Sequence, residues 1–146
     1  MSEEAKKTEQ KKRLEIGVAC IFRDGKVLIQ TRPKGKSFAG KWEFPGGKIE
    51  EGERARDCVS REIMEELGGE IVVKDMFFKD THNFDTTILV LLFYRCTPKK
   101  DAKFVPQENQ EIKWVESKDF AGIKFLPTNY RILKKLKELP ELTQST

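Results

Sequence analysis

The pattern of apolar and polar positions first predicts a strand hairpin. Two apolar runs rich in β-branched residues, 16–22 and 27–31, lie on either side of Asp24 and Gly25. Both turn residues tolerate positive φ, so the pattern is typical of a tight β-hairpin. Three later apolar runs predict further strands, at residues 70–78, 86–96 and 112–115. The second of these contains a continuous apolar stretch, 88–94, which indicates a strand buried on both faces.

Two helices are predicted in the remaining periodic segments. Residues 54–67 contain no Gly or Pro and are followed by Gly68, which is typical of a helix with a glycine C-cap. Residues 129–139 predict an amphipathic helix that Pro140 ends. Its apolar stripe consists of Ile132, Leu133, Leu136 and Leu139.

The segments between these elements predict loops. Residues 32–41 are polar and basic, and the short aromatic segment 42–44 precedes Pro45, Gly46 and Gly47, which we expect to stop any regular element. Strands and helices mix without strict βα alternation. The fold class is therefore predicted to be α+β, with helices packed on a mixed sheet.

Length and composition favour one cytoplasmic domain. The chain has 146 residues, and we expect a flexible charged tail over 1–13, a domain over 14–140 and a flexible C-terminal tail over 141–146. No apolar run approaches the roughly 18–20 residues that cross a bilayer, so no membrane contact is expected. The three cysteines form no C-x-x-C pair, which favours reduced thiols in the cytoplasm.

Charge excludes one class of partner. The formal net charge is +4, and part of that excess lies in the N-terminal tail. Duplex nucleic acid normally requires a dense basic stripe, so no stable nucleic-acid complex is expected. A small polyanionic ligand remains compatible with this charge, and we expect a monomer or a weak dimer.

Carboxylates occupy one face of the predicted helix 54–67. Ala55, Val59, Glu62 and Glu66 fall on one narrow stripe, and Glu65 lies beside it. Neighbours at these spacings lie about 5–6 Å apart, and in a groove of effective dielectric about 20 each pair repels by roughly 3 kcal/mol. Such a groove needs a cation, typically Mg²⁺ shared with substrate phosphates. A solvated acidic face is the alternative, and spacing alone leaves both open.

A glycine-containing loop lies directly before this helix. Pro45, Gly46, Gly47 and Lys48 can bring backbone groups close to a ligand, and the loop leads toward a helix N-terminus, where anions are favoured. An ordinary turn is the alternative interpretation. If it binds phosphate, Gly47 and Lys48 are candidate substrate-binding residues.

Together these residues resemble the Nudix box, the signature of the Nudix hydrolase family. The matching positions are Gly47, Glu53, Arg61, Glu62, Ile63, Met64, Glu65, Glu66, Leu67 and Gly68. One departure is Gly69, where the family usually has an aliphatic residue, and we expect Ile71 to take over its packing role. The segment 42–50 and residues 126–129 further resemble the MutT branch of the family.

The resemblance implies a fold, an activity and a cofactor. The fold is a mixed β-sheet sandwiched between α-helices. The activity is a nucleoside triphosphate pyrophosphohydrolase that requires Mg²⁺, with Mn²⁺ as a possible substitute, and that releases a nucleoside monophosphate and pyrophosphate. Water is expected to attack the β-phosphorus.

The resemblance also implies roles for single residues. The carbonyl of Gly46 and four carboxylates are the implied metal ligands, namely Glu62, Glu65, Glu66 and Glu108. Glu111 competes with Glu108 for this role, and Glu62 or Glu108 is the implied general base. Glu53 and Arg61 are implied to brace the junction between loop and helix, and Glu53 can also act through water.

Base recognition is implied for a last group of residues. Arg32 and Asn129 match positions that contact a purine, and Phe44 and Phe84 are candidates to flank the base. Asn129 is equally suited to cap a helix, and Phe44 to pack in the core. The expected substrate is 8-oxo-dGTP, in nucleotide-pool sanitation linked to DNA repair. Alternatives are CTP or methyl-dCTP, then nucleoside diphosphate sugars or RNA 5′ ends, or a catalytically silent nucleotide-binding domain.

Overall fold

The computed structural model describes residues 11–143, which form seven strands and three α-helices. The strands are β1 (Lys12–Arg23), β2 (Lys26–Thr31), β3 (Trp42–Glu43), β4 (Gly46–Lys48), β5 (Ile71–Asn83), β6 (Thr87–Pro98) and β7 (Ile112–Val115). The helices are α1 (Ala55–Leu67), α2 (Arg131–Lys137) and α3 (Pro140–Thr143). Two 3₁₀ helices, Ser117–Gly122 and Pro127–Asn129, precede α2.

The strands form one mixed sheet in the order β3-β2-β1-β6-β5, with β4 paired to β1 and β7 to β2. β1 and β6 pair in parallel, from Lys12 opposite Thr87 to Ile21 opposite Cys96, and the other pairings are antiparallel. The β1–β2 turn has positive φ at Asp24 (52°) and Gly25 (76°), so the predicted hairpin is confirmed.

Apolar cores cover both faces of the sheet. Successive residues of β1 point to opposite faces, so Ala19 and Ile21 pack against α1. Cys20 and Phe22 belong to the opposite core, which includes the apolar stripe of α2. The predicted mixed sheet sandwiched between helices is confirmed.

Several element boundaries differ from the predictions. β1 begins at Lys12, inside the predicted tail, because its first residues pair in parallel with β6. Residues 1–10 and 144–146 of the predicted tails lie outside the described residues. At the other end, Pro140 starts the short helix α3, which contributes the buried Leu142 to the core.

The glycine-containing loop was wrongly predicted to stop regular structure. Gly46, Gly47 and Lys48 instead form β4, which pairs antiparallel with Ile16, Gly17 and Val18 of β1. This pairing anchors β4 to the central strand beside α1. It therefore fixes the loop's backbone relative to the acidic stripe.

The end of α1 explains the departure at Gly69. Gly68 adopts the left-handed conformation of the predicted C-cap, with a φ of 65°. At Gly69, a Cβ atom would lie 2.8 Å from the carbonyl oxygen of Lys103 and would also overlap the ring of Phe104. Any aliphatic side chain would therefore displace the segment that packs here. Ile71 is buried in the α1 core, as expected.

The second predicted helix is shorter than expected. α2 begins at Arg131, and Asn129 ends the 3₁₀ helix before it. The four residues of the predicted stripe are buried. No helix among residues 11–143 has the length and apolarity needed to cross a membrane.

Candidate active site

A cleft of about 550 Å³ lies between β4, α1, the loop after β2 and the segment that precedes α2. It brings together predicted residues from distant parts of the chain: Arg32, Phe44, Gly46, Gly47, Lys48, Glu62, Phe84, Glu66, Glu108 and Asn129. Glu53, Arg61 and Glu65 are not among its lining residues. The lining thus contains acidic, aromatic and amide side chains.

Arg61 organises the carboxylates beside the cleft. Its guanidinium donates to both oxygens of Glu53 (2.7 and 3.0 Å), to Glu62 (3.0 Å) and to Glu65 (3.2 Å). It also donates to the main-chain oxygen of Lys48 at 3.2 Å. The hydrogen bonds from Arg61 hold the pKa of Glu53 at about 2. Arg61 thus joins the loop to α1.

Glu66 lies deepest among these acids. It is 8% exposed, and its Oε1 accepts a hydrogen bond from Gln30 at 3.0 Å. Its Oε2 has no hydrogen-bond partner among the described residues. Burial, followed by the nearby charges of Glu62 and Glu43, raises the pKa of Glu66 to about 8. A buried carboxylate oxygen without a partner is a costly arrangement in the absence of a cation.

The carboxylates provide a partial rather than a complete cation site. Within residues 11–143 no three acidic, histidine or cysteine side chains are placed to hold one ion. Glu65 is 55% exposed and bonded to Arg61 instead. Mg²⁺ is usually bound by one or two carboxylates together with substrate phosphates, which a partial site of this kind fits. The unpartnered oxygen of Glu66 is the donor that fits this ion best.

The close approach of β4 to α1 requires glycine. A Cβ atom on Gly47 would overlap the carboxylate of Glu62. Burial raises the pKa of Glu62, although Arg61 opposes this shift. The identity of residue 47 therefore decides where the Glu62 carboxylate lies.

The loop that follows β6 places Glu108, rather than Glu111, at the cleft. The main-chain N–H of Glu111 donates to Thr31 Oγ1 at 2.9 Å, which ties this residue to the end of β2. The N–H of Glu108 donates to the side-chain oxygen of Gln110 at 2.9 Å. The structure therefore favours Glu108 over its competitor.

Asn129 and Phe44 both line the cleft and are joined by a hydrogen bond. The Oδ1 of Asn129 accepts from the Phe44 N–H at 3.0 Å, and its Nδ2 donates to Thr128 at 3.3 Å. Asn129 does not cap α2, whose N-cap is Tyr130. Phe44 is 3% exposed and stacks on Phe125, so it is mainly a core aromatic. Because Nδ2 uses one of its two hydrogens for Thr128, Asn129 can offer the cleft the other as a donor.

Arg32 and Phe84 lie at the rim of the cleft. Arg32 Nε donates to the carbonyl of Ser37 at 3.3 Å, and its guanidinium lies 3.6 Å from Glu43. Phe84 is 50% exposed and stacks on His82 with ring centres 6.4 Å apart. A second exposed aromatic, Phe38, also lines the rim.

Sequence reasoning missed three polar residues next to the acids: Gln30, Glu43 and Gln110. Gln30 and Gln110 are 1% and 5% exposed. Burial is the main cause that raises the pKa of Glu43. Gln30 carried a usable signal, because it is a polar residue at the end of the apolar run of β2. Glu43 and Gln110 carried no such signal, because the residues that surround them belong to other elements of the fold.

The chain is similar to a known domain family and to several named proteins. The NUDIX domain profile matches residues 11–136. The CTP pyrophosphohydrolase of Escherichia coli (strain K12) is 31% identical over 84% of this chain and 90% of the relative. The 8-oxo-dGTP diphosphatase of the same strain is 31% identical over 88% of this chain and 99% of the relative. The solution structure of the E. coli ORF135 protein superposes with a TM-score of 0.78 at 28% identity, covering 94% of this chain and 98% of that one.

Proposed function

We propose that this chain is a nucleoside triphosphate pyrophosphohydrolase. The chain belongs to the Nudix hydrolase family, and thus to the hydrolases of phosphorus anhydrides. Its products would be a nucleoside monophosphate and pyrophosphate. The observation that carries the proposal is the unpartnered buried oxygen of Glu66 in a cleft that also contains Glu62 and Glu108. These acids would face the phosphates, and the Phe44–Asn129 pair would face the base.

Enzymes of this family use divalent ions, and the residues here fit Mg²⁺ or, as a substitute, Mn²⁺. The residues that would hold the ion are Glu62, Glu66 and Glu108, which line the cleft, and the carbonyl of Gly46; Glu65 would join them on leaving Arg61. When bound, the ion neutralises phosphate oxygens and makes a bound water more acidic. Arg61 would hold Glu62 and Glu65 in position through its hydrogen bonds to both carboxylates.

Proton transfer falls to a carboxylate of the cleft. Glu62 and Glu108 both line it, and either can accept the proton of the water that attacks the β-phosphorus. Glu53 is a weaker base, because the hydrogen bonds from Arg61 hold its pKa at about 2. Its role is to hold Arg61, which in turn orients the acids.

The proposed substrate is 8-oxo-dGTP, which would place the chain in nucleotide-pool sanitation. The Nδ2 donor of Asn129 suits the O6 acceptor of an oxidised guanine, and relatives in several bacteria are named 8-oxo-dGTP diphosphatase. CTP is the second candidate, because a donor also suits the O2 or N3 of cytosine and one relative is named CTP pyrophosphohydrolase.

A substrate panel tests the proposal. Product release with and without Mg²⁺ would be measured for 8-oxo-dGTP, dGTP, CTP, ADP-ribose and triphosphorylated RNA, and we expect the highest kcat/KM on 8-oxo-dGTP. A highest value on CTP would favour the second candidate. No hydrolysis of any compound would indicate a catalytically silent nucleotide-binding domain.

The bond that breaks can be identified in ¹⁸O-labelled water. Attack at the β-phosphorus places the label in pyrophosphate. Label in the nucleoside monophosphate would instead show attack at the α-phosphorus and would contradict the proposed geometry.

A further inference from the structure

A chain of buried amides runs from the loop of Glu108 to the carboxylate of Glu66. The N–H of Glu108 donates to the Oε1 of Gln110 at 2.9 Å. The Nε2 of Gln110 donates to the Oε1 of Gln30 at 3.2 Å and to the main-chain oxygen of Glu66 at 3.0 Å. The Nε2 of Gln30 then donates to the Oε1 of Glu66 at 3.0 Å. Two proposed metal ligands are thereby connected across the fold.

The contacts of Gln30 leave only one orientation for its amide. Its oxygen accepts from Gln110, so its two N–H groups point to Glu66 and to Glu43, which accepts at 3.2 Å. Both glutamines are almost completely buried. Such a network restricts its members strongly, because each broken bond leaves a buried polar group without a partner.

The chemistry of an amide suits this position. Gln30 gives one proton to each of two neighbouring carboxylates and adds no charge. A lysine or arginine here would pair with Glu66 and repel a cation, whereas the amide orients Oε1 without adding a charge. The other oxygen, Oε2, has no hydrogen-bond partner among the described residues, and Glu66 lines the cleft.

We infer that Gln30 and Gln110 are positioning residues for the metal site, which set the orientation of Glu66 and its spacing from Glu108. This inference rests on the proposed function, since it gives the carboxylates a cation to bind. Gln30 acts directly on Glu66, and Gln110 acts through Gln30 and through the main chain of Glu66. Neither glutamine is placed in contact with substrate.

The test measures Mn²⁺ binding to the full chain without nucleotide, by the loss of the free-ion signal in electron paramagnetic resonance. Gln30→Met keeps the length of the side chain and removes its hydrogen bonds. We expect its Kd for Mn²⁺ to rise about 10- to 100-fold, the usual effect of losing a partner that orients a metal ligand. Gln110→Met should raise the Kd less, because Gln30 keeps its own bond to Glu66.

The matched control is Gln107→Met on the same loop. Gln107 is exposed, and within residues 11–143 its side chain donates only to the Val105 carbonyl, at 2.8 Å. The Kd of the Gln107→Met variant for Mn²⁺ should equal that of the wild type. Circular dichroism melts would establish that each variant is folded, and Gln110→Met decides the question if Gln30→Met does not fold.

A double-mutant cycle separates positioning from general damage. In a Glu66→Gln background, Gln30→Met should change the Kd less than about 2-fold, because the carboxylate that it orients is gone. The inference would be overturned if Gln30→Met lowered the Mn²⁺ affinity equally in the wild-type and Glu66→Gln backgrounds. Wild-type Kd values for both Gln30→Met and Gln110→Met would overturn it too. A wild-type chain that binds no Mn²⁺ would overturn it as well.

Failure of the proposed function would look different. The inference is contradicted by unchanged Mn²⁺ affinities of the glutamine variants. The proposed function is contradicted by a wild-type chain that hydrolyses no compound of the substrate panel. A chain whose Gln30→Met variant loses Mn²⁺ but whose wild type hydrolyses no triphosphate would retain the positioning role and lose the proposed reaction.

Discussion

At the scale of single residues, Asn129 contributes two groups with different partners. Its oxygen accepts from the Phe44 N–H, its Nδ2 donates to Thr128, and the residue lines the cleft. Asn129→Asp keeps an oxygen for Phe44 and removes the donor, whereas Asn129→Ala removes both. Asn129→Asp therefore tests base recognition while it keeps the hydrogen bond to Phe44.

We expect Asn129→Asp to lower kcat/KM for 8-oxo-dGTP by an amount equivalent to about 1–3 kcal/mol. A carboxylate also suits the exocyclic amine of cytosine, so the ratio of CTP to 8-oxo-dGTP hydrolysis should rise. Steady-state kinetics on both nucleotides measure this. Unchanged kcat/KM on 8-oxo-dGTP would remove Asn129 from base recognition.

Glu65 and Glu66 are adjacent in sequence but differ sharply in environment. Glu66 is 8% exposed at the cleft, whereas the side chain of Glu65 is 55% exposed beside Arg61. We expect Glu66→Gln to lower kcat/KM by about 100-fold or more, and Glu65→Gln to lower it less, because metal-ligand charge contributes several kcal/mol. Kinetics at saturating Mg²⁺ compare them. The reverse order would show that Arg61 releases Glu65 into the site.

At the scale of elements, β4 packs closely against α1. Gly47→Ala adds a methyl group where the Glu62 carboxylate lies. We expect a loss of about 1–3 kcal/mol in the free energy of unfolding and at least a 10-fold loss of activity. Urea unfolding and kinetics measure the two effects.

Gly122→Ala is the matched control for this substitution. A Cβ atom on Gly122 meets no atom within 4 Å, so its stability and activity should stay close to those of the wild type. A Gly47→Ala variant as active as this control would show that Glu62 is free to move aside.

The amphipathic helix α2 illustrates an element whose role is packing. Leu136 is fully buried in the core beneath it. Leu136→Ala should lower the free energy of unfolding by about 2–5 kcal/mol through the cavity that it leaves. The exposed Lys134→Ala is the control, and chemical denaturation measures both. Equal stability of the two variants would contradict the assignment of this core.

Element prediction succeeded where local pattern decides conformation. The β1–β2 turn and the glycine cap of α1 follow from backbone preferences of a few neighbouring residues. The prediction was wrong at β4, because Gly46 and Gly47 become a strand only through pairing with β1. No local signal contains that pairing.

At the scale of the whole molecule, the burial of Glu66 couples stability to pH. Its folded-state pKa of about 8 exceeds the ordinary value of 4.5. The unfolded chain therefore releases this proton at lower pH than the folded chain does. Stability consequently falls as pH rises between about 4.5 and 8.

We expect metal-free wild-type chain to lose stability from about pH 5 to pH 8, and Glu66→Gln to lose clearly less. The lowered pKa of Glu53 acts only below this window. Urea unfolding in chelator at several pH values measures the two slopes. Adding Mg²⁺ should reduce the wild-type slope, since the ion binds the ionised form. Parallel curves for the two proteins would contradict the burial of a titrating Glu66.

The amino-acid sequence by itself determined the family and the acidic stripe of α1, because both depend on spacing along a single segment. It also determined the apolar faces, since periodicity records which side of an element is buried. Only the tertiary structure decided that Glu66 is buried while Glu65 is exposed, that Asn129 holds Phe44, and that Gln30 and Gln110 reach Glu66. These contacts join residues far apart in the chain, and their existence depends on how the sheet brings separate elements together.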